Sequence, residues 1–128
     1  METPMNCRVL LVDDEPLILV ITTDLLAGIA SSVTKASNAR EALTAFETGE
    51  FDLLITDRFM PGIDGLGLTR ILKAKNPHLK VILISGFAGT VPLQQEGGPD
   101  TFLLKPFSRE QLLQSMRQVL ELTPAEAH

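Results

Sequence analysis

The sequence predicts an α/β fold in which a parallel five-stranded sheet is covered by helices on both faces. Four short runs are continuously apolar, as strands buried on both faces are. These runs alternate with segments in which apolar residues recur at helical spacing, and such alternation is typical of parallel sheets with right-handed crossovers. We place one domain at residues 1–121, followed by a tail or the start of a linker at 122–128.

The five predicted strands differ in their composition. The four apolar ones cover residues 9–12, 53–55, 81–84 and 102–104. The remaining strand, 32–37, mixes polar and apolar residues, which is typical of a strand at the edge of a sheet.

Residues that commonly begin or end helices mark boundaries of the first two predicted helices. The first begins at Pro16, since the first helical turn tolerates proline. The second is capped by Asn38, with Glu41 three residues on, and ends at Gly49. The apolar residues predicted to form the buried stripe of the first helix are Leu17, Ile18, Ile21, Leu25 and Ile29.

Of the three later helices, the third and fifth are predicted to be regular and the fourth is not. The third covers residues 64–76 and stops before a proline. The fourth is expected to be short or irregular, near 91–96, because glycines and prolines surround it. The fifth begins with a capping box of Ser108 and Gln111. The residues predicted to face the core from the fifth helix are Leu112, Met116, Val119 and Leu120.

Composition excludes several classes of function. The formal net charge of −5 argues against direct nucleic-acid binding, which needs a basic face. No apolar run approaches the ~20 residues of a membrane span. A single cysteine, Cys7, cannot form an internal disulfide, so the expected compartment is the reducing cytoplasm.

Polar side chains lie at the carboxyl ends of four of the predicted strands. Asp13 and Asp14 follow the first strand, Asp57 the third, Ser85 the fourth and Lys105 the fifth. Ligands of open α/β sheets bind outside the carboxyl ends of the strands, where the strand order reverses. In the flavodoxin-like order 2-1-3-4-5, the first and third strands are neighbours at that point. The three carboxylates are therefore expected to converge.

Three converging carboxylates need compensation, either by raised pKa values or by a cation. Hard oxygen ligands favour Mg²⁺. With one Mg²⁺ and Lys105, the formal charge of the site sums to zero. Such a pocket can hold a phosphoryl group, and a carboxylate can be its nucleophilic acceptor.

These residues lie in motifs with a characteristic order and spacing. The motifs are VDDE at 12–15, TDRFMPG at 56–62, DG at 64–65, ISG at 84–86 and KPF at 105–107. Over residues 8–120 the chain resembles the receiver domains of bacterial two-component response regulators.

The resemblance implies a phospho-acceptor site with a Mg²⁺ (or Mn²⁺) cofactor. Asp57 would be the phospho-acceptor, and Asp14 a direct ligand of the cation. Asp13 would assist through water, and the backbone carbonyl of Phe59 would be the third protein ligand.

The resemblance also implies a switch. Lys105 would pair with the phosphoryl oxygens, and the peptide bond to Pro106 would be cis. Ser85 would donate its hydroxyl to the phosphoryl group, and Phe102 would then turn inward. The responding surface would consist of the fourth helix, fifth strand and fifth helix (α4-β5-α5 in the family), through which a homodimer could form. The implied donor is a histidine kinase or a phosphotransfer protein, and the chain would catalyse only its own phosphorylation and dephosphorylation.

Other interpretations are open at this point. Asp13 and Asp14 could merely cap the first helix, Lys105 could be a surface charge, and Phe102 could be a core residue. A degenerate receiver would bind partners without phosphorylation, but all five polar residues of the site are intact. An aspartate-nucleophile phosphatase would carry Asp-x-Asp after the first strand and a cap insertion, and neither is seen here.

Overall fold

The computed structural model describes residues 6–86 and 97–120. Within these ranges, five parallel strands form one sheet in the order β2-β1-β3-β4-β5, which confirms the predicted fold. The strands are β1 (Arg8–Val12), β2 (Ser32–Ala36), β3 (Leu53–Asp57), β4 (Lys80–Ser85) and β5 (Thr101–Leu104).

Four helices occur in the described ranges. They are α1 (Pro16–Leu26), α2 (Ala39–Thr48), α3 (Gly65–Lys75) and α4 (Arg109–Leu120). The last of them is the predicted fifth helix, so α4 below means residues 109–120. The predicted fourth helix, near 91–96, lies outside the described residues.

The helix starts follow from local hydrogen bonds. The Gln111 N–H donates to Ser108 Oγ at 3.1 Å and the Ser108 N–H donates to Gln111 Oε1 at 2.8 Å, which confirms the predicted capping box. Asn38 Oδ1 accepts from the Glu41 N–H at 2.8 Å, as predicted for the second helix. The side chain of Asp64 accepts from a backbone N–H in the same way at the start of α3. Each cap satisfies a donor that has no partner within its helix.

The buried face of α1 differs from the predicted stripe. Leu17 and Ile21 were expected to be buried but are 68% and 45% exposed. Thr22 and Leu26 are buried instead, while Ile29, just after the helix, is buried as predicted. Because α1 is apolar on nearly all sides, periodicity alone does not select the face that packs on the sheet.

The core consists of one apolar layer on each face of the sheet. Val9 and Leu11 of β1 point into the layer shared with α1 and α4. Leu10 and Val12 point into the layer shared with α2 and α3. This alternation is the reason that the strand is continuously apolar.

The predicted core stripe of the last helix is largely confirmed. Leu112, Met116 and Val119 are buried in α4, and Leu120 is partly buried. Leu113, which was not predicted, is buried beside them. None of the helices in the described ranges has the length and apolar character needed to cross a membrane.

Candidate functional site

The carboxyl ends of the strands bring the predicted polar residues to one edge of the sheet. Val12 pairs with Thr56 across β1 and β3, so the residues that follow them, Asp13 and Asp57, are neighbours. The Lys105 N–H donates to the Ser85 carbonyl at 2.8 Å, which holds the ends of β4 and β5 together. Backbone pairing therefore sets the positions of these side chains.

Three carboxylates converge at this edge, as the sequence predicts. Asp13, Asp14 and Asp57 each offer one oxygen, and these oxygens lie within 4.8 Å of one another. Asp13 is 1% exposed and Asp57 8% exposed, whereas Asp14 is open to solvent. The cluster is thus buried on the sheet side and accessible from outside through Asp14.

Lys105 supplies a positive charge to the cluster. Its Nζ lies 3.1 Å from Asp57 Oδ1 and 3.5 Å from Asp13 Oδ2. The peptide bond between Lys105 and Pro106, directly after β5, is cis. The two distances show that the side chain of Lys105 points into the cluster and is not a solvated surface charge.

Electrostatics make the cluster costly without a further cation. Burial raises the pKa of Asp57 above its ordinary value, Lys105 opposes the rise, and Asp14 and Glu15 add to it. Burial likewise raises the pKa of Asp13, and the hydrogen bond from the Glu15 N–H only partly offsets it. Burial disfavours the charged form of Lys105, but the attraction of Asp57 and Asp13 prevails and raises its pKa. Lys105 consequently stays protonated at neutral pH.

The residues present fit a divalent cation. Asp13 Oδ1 accepts from the Glu15 N–H at 2.9 Å, whereas the buried Oδ2 has no hydrogen-bond partner among the described residues. The Lys105 ammonium lies 3.5 Å from this oxygen without a hydrogen bond to it, and a cation would satisfy the oxygen more fully. Three carboxylates and one ammonium leave a formal charge of −2, and the donor atoms are all oxygens. Mg²⁺ or Mn²⁺ suits this charge and this donor set.

Comparison with known families assigns the chain to one of them. The family model described as response regulator receiver domain matches residues 9–117. This chain belongs to the response regulator receiver family. The predicted resemblance is thereby confirmed.

Relatives of the receiver occur in proteins of different architecture. The C4-dicarboxylate transport transcriptional regulatory protein DctD of Pseudomonas aeruginosa is 38% identical over 118 residues, which cover 90% of this chain and 25% of DctD. The sensor kinase CckA of Brucella abortus is 36% identical, over 91% of this chain and 13% of the kinase. This chain spans a quarter or less of the length of each of these two relatives. A similar domain therefore forms part of a transcriptional regulator and of a sensor kinase.

A solved receiver structure shares the fold of the described residues. The signal receiver domain of an HD domain-containing protein from Pseudomonas fluorescens Pf-5 superposes with a TM-score of 0.82 at 29% identity. The match covers 95% of this chain and 100% of that one. The receiver fold described here therefore matches that of an experimental structure.

The remaining predicted residues of the receiver lie at the end of β4, within β5 and just after β3. Ser85 is fully buried at the end of β4, where the preceding residue, Ile84, pairs with Asp57. Phe102 is partly buried in β5. The Phe59 ring is half exposed, with the Arg58 guanidinium carbon 5.0 Å from its centre. The roles of Ser85, Phe102 and the Phe59 carbonyl stay predictions.

One charged neighbour of the receiver site was not predicted as a site residue. Glu15 Oε1 lies 3.7 Å from Lys105 Nζ. Glu15 lies next to Asp14 in the VDDE motif, and this adjacency was the only signal available in the sequence. Sequence spacing does not show that the chain turns at Pro16 so that Glu15 faces the end of β5.

Replacing Asp13 with asparagine is expected to stabilise the metal-free receiver at neutral pH. Because burial raises the pKa of Asp13, the folded state binds its proton more tightly than the unfolded chain does. The wild type therefore loses stability as pH rises from the unfolded pKa of about 3.9 to the raised folded value. Asparagine keeps an oxygen that can accept from the Glu15 N–H, and it removes the charge. We therefore expect the free energy of unfolding to rise by about 1 kcal/mol at pH 7.

Urea unfolding in the presence of a chelator measures this gain. At a pH below the unfolded pKa, Asp13 is protonated in both states, and the two proteins should have similar stabilities. A lower stability of Asp13→Asn at pH 7 would contradict the interpretation that the buried charge is costly.

Proposed function

We propose that this receiver takes a phosphoryl group onto Asp57 in a reaction that requires Mg²⁺ (or Mn²⁺). The donor would be a phosphohistidine of a histidine kinase or of a phosphotransfer protein. The supporting observation is the arrangement of Asp57, which touches Lys105 and shares a carboxylate cluster with Asp13 and Asp14. The chain would act as a signalling phospho-acceptor that catalyses only its own phosphoryl transfer and dephosphorylation.

The chemistry follows from the charges around Asp57. A carboxylate oxygen of Asp57 attacks phosphorus, an O–P bond forms, and the P–N bond to the donor breaks. The electron pair of that bond returns to the imidazole of the donor. Asp13, Asp14, Asp57 and the carbonyl of Phe59 would hold the cation, which when bound neutralises charge on the transferred oxygens. Lys105 would pair with the same oxygens from the β5 side.

The proposed switch begins with Ser85 and Lys105. Phosphorylation adds about −1.5 to −2 charges and three acceptor oxygens. Ser85 would donate to one of these oxygens, and Phe102 would turn inward behind it. Because the backbone N–H of Lys105 donates a hydrogen bond to the Ser85 carbonyl, the ends of β4 and β5 would move together. The surface that includes β5 and α4 would change as a result, and a homodimer could form through it.

The proposed domain covers residues 1–121, with a tail or linker start at 122–128. Its net charge of −5 argues against direct nucleic-acid binding by this domain. Cys7, the single cysteine of the chain, is buried and free, in keeping with a reducing cytoplasm. A degenerate, phosphorylation-independent receiver is disfavoured because Asp13, Asp14, Asp57, Ser85 and Lys105 are all present.

Intact-mass measurement tests the proposal. After incubation of the wild type with acetyl phosphate and Mg²⁺, we expect a gain of one phosphoryl mass, and the modified peptide should contain Asp57. With a chelator in place of Mg²⁺, the mass should not change. A wild type that gains no phosphoryl mass from acetyl phosphate or from a phosphorylated histidine kinase would refute phospho-acceptance and leave the binding-module interpretation.

A further inference from the structure

Lys105 is in contact with a third carboxylate besides Asp57 and Asp13. Its Nζ lies 3.1 Å from Asp57, 3.5 Å from Asp13 and 3.7 Å from Glu15. The first two carboxylates are buried, whereas the Glu15 side chain is 64% exposed. The three contacts thus become longer in the order Asp57, Asp13, Glu15, and the longest belongs to the group that water reaches.

The position of Glu15 is set by its backbone. Its N–H donates to Asp13 Oδ1 at 2.9 Å, and Pro16 follows as the first residue of α1. Glu15 occupies the N-cap position, yet its side chain makes no capping hydrogen bond to the helix. The carboxylate is turned toward Lys105 instead, on a long side chain that can rotate away without disturbing the backbone.

We propose that Glu15 engages Lys105 in the unphosphorylated receiver and competes there with the incoming phosphoryl group. This inference rests on the proposed function. Three carboxylates surround the Lys105 ammonium here, at 3.1 to 3.7 Å, so a phosphoryl oxygen that pairs with it competes with them for its positive charge. Glu15 is the carboxylate that leaves, because its exposed charge is hydrated again when the contact opens. Asp57 and Asp13 would stay desolvated after such a break.

The competition makes Glu15 a positioning residue that discriminates donors by charge. Its carboxylate repels the negatively charged phosphoryl group of the donor. It also pairs with Lys105, which is then less available to the phosphoryl oxygens. A donor with two negative charges meets more repulsion than a donor with one. Removing the charge of Glu15 should therefore help the dianionic donor most.

Two small donors of different charge test this inference. Acetyl phosphate is a dianion, and its P–O bond breaks as acetate leaves with the electron pair. Phosphoramidate carries one net negative charge because its nitrogen is protonated, and its P–N bond breaks as ammonia leaves. In both reactions the new bond joins phosphorus to an oxygen of Asp57.

Glu15→Gln is compared with the wild type at a Mg²⁺ concentration that saturates each protein. The second-order rate constant for phosphorylation by acetyl phosphate should rise about two- to fivefold, the range expected for one exposed charge contact. The rise with phosphoramidate should be smaller. The matched control is Asp24→Asn, which removes an exposed carboxylate elsewhere on α1 and should change neither rate constant.

A second measurement uses the metal-free protein and needs no phosphorylation. In ¹³C-lysine-labelled protein, the Cε resonance of Lys105 should shift in Glu15→Gln and stay in place in Asp24→Asn. The urea midpoint of Glu15→Gln should match that of the wild type, so that a rate effect is not a folding effect.

The outcomes separate this inference from the proposed function. A wild type that gains no phosphoryl mass from either donor would refute the proposed function itself. A phosphorylated wild type with unchanged rate constants in Glu15→Gln would overturn the inference about Glu15 alone. An equal rise with both donors, or an unmoved Lys105 resonance, would also overturn it.

Discussion

Asp57→Asn is expected to gain no phosphoryl mass under conditions in which the wild type is phosphorylated. Asparagine has nearly the same shape as aspartate, so the packing at the end of β3 should persist. Its amide is a far weaker nucleophile than a carboxylate, and no acyl phosphate can form on it. Burial raises the pKa of Asp57, so its charged form is unfavourable in the folded protein. We therefore expect no loss of stability from removing this charge.

Asp24→Asn is the matched control for this substitution. It makes the same chemical change at an exposed position of α1 and should be phosphorylated like the wild type. Intact mass and urea unfolding should be measured on all three proteins. If folded Asp57→Asn gains phosphoryl mass at the wild-type level, the acceptor lies elsewhere and the proposed role of Asp57 is wrong.

Gly65→Ala is expected to destabilise the receiver by about 3 kcal/mol, at the upper end of typical overpacking costs. Gly65 is the first residue of α3, and its N–H donates to the Arg58 carbonyl at 2.8 Å. A Cβ at this position would collide with the backbone carbonyl oxygen of Asp57 and would lie 3.0 Å from the Arg58 Cα. Both are backbone atoms directly at the end of a buried strand, so neither moves away easily.

Gly67→Ala, two residues later in α3, is the control for an added methyl group. Its Cβ would meet Ile63 Cγ2 at 3.2 Å, on an exposed side chain that can shift. Alanine also favours the helix by about 1 kcal/mol over glycine, so we expect a stability within about 1 kcal/mol of the wild type. Urea unfolding compares the two variants, and equal midpoints would show that the close approach at Gly65 is unimportant.

The sequence predicted most of the features that depend on short-range chemistry. The apolar strands required cover on both faces, and the expected order 2-1-3-4-5, which the structure shows, brings the polar ends of the first and third strands to a common edge. The capping box of Ser108 and Gln111 could be read directly because its hydrogen bonds join residues three apart. Asp13 and Asp57 could be expected to meet since neighbouring parallel strands end together.

The errors arose where a segment is ambiguous by itself. The first helix is apolar on nearly every side, so the sequence allowed several buried faces, and the predicted burial of Leu17 and Ile21 was wrong. Leu113 was missed for a related reason, because the buried stripe of α4 is wider than the spacing used to predict it. Which apolar residue is buried depends on how a helix sits on the sheet.

The sequence by itself determined the fold class, the strand order and the chemical types at the candidate site. Tertiary structure alone decided that Lys105 also contacts Glu15, and that Gly65 lies against the backbone of Asp57. The physical reason is distance along the chain. Strand pairing and capping obey rules of local pattern, whereas a contact between residues 90 positions apart depends on where the whole backbone turns.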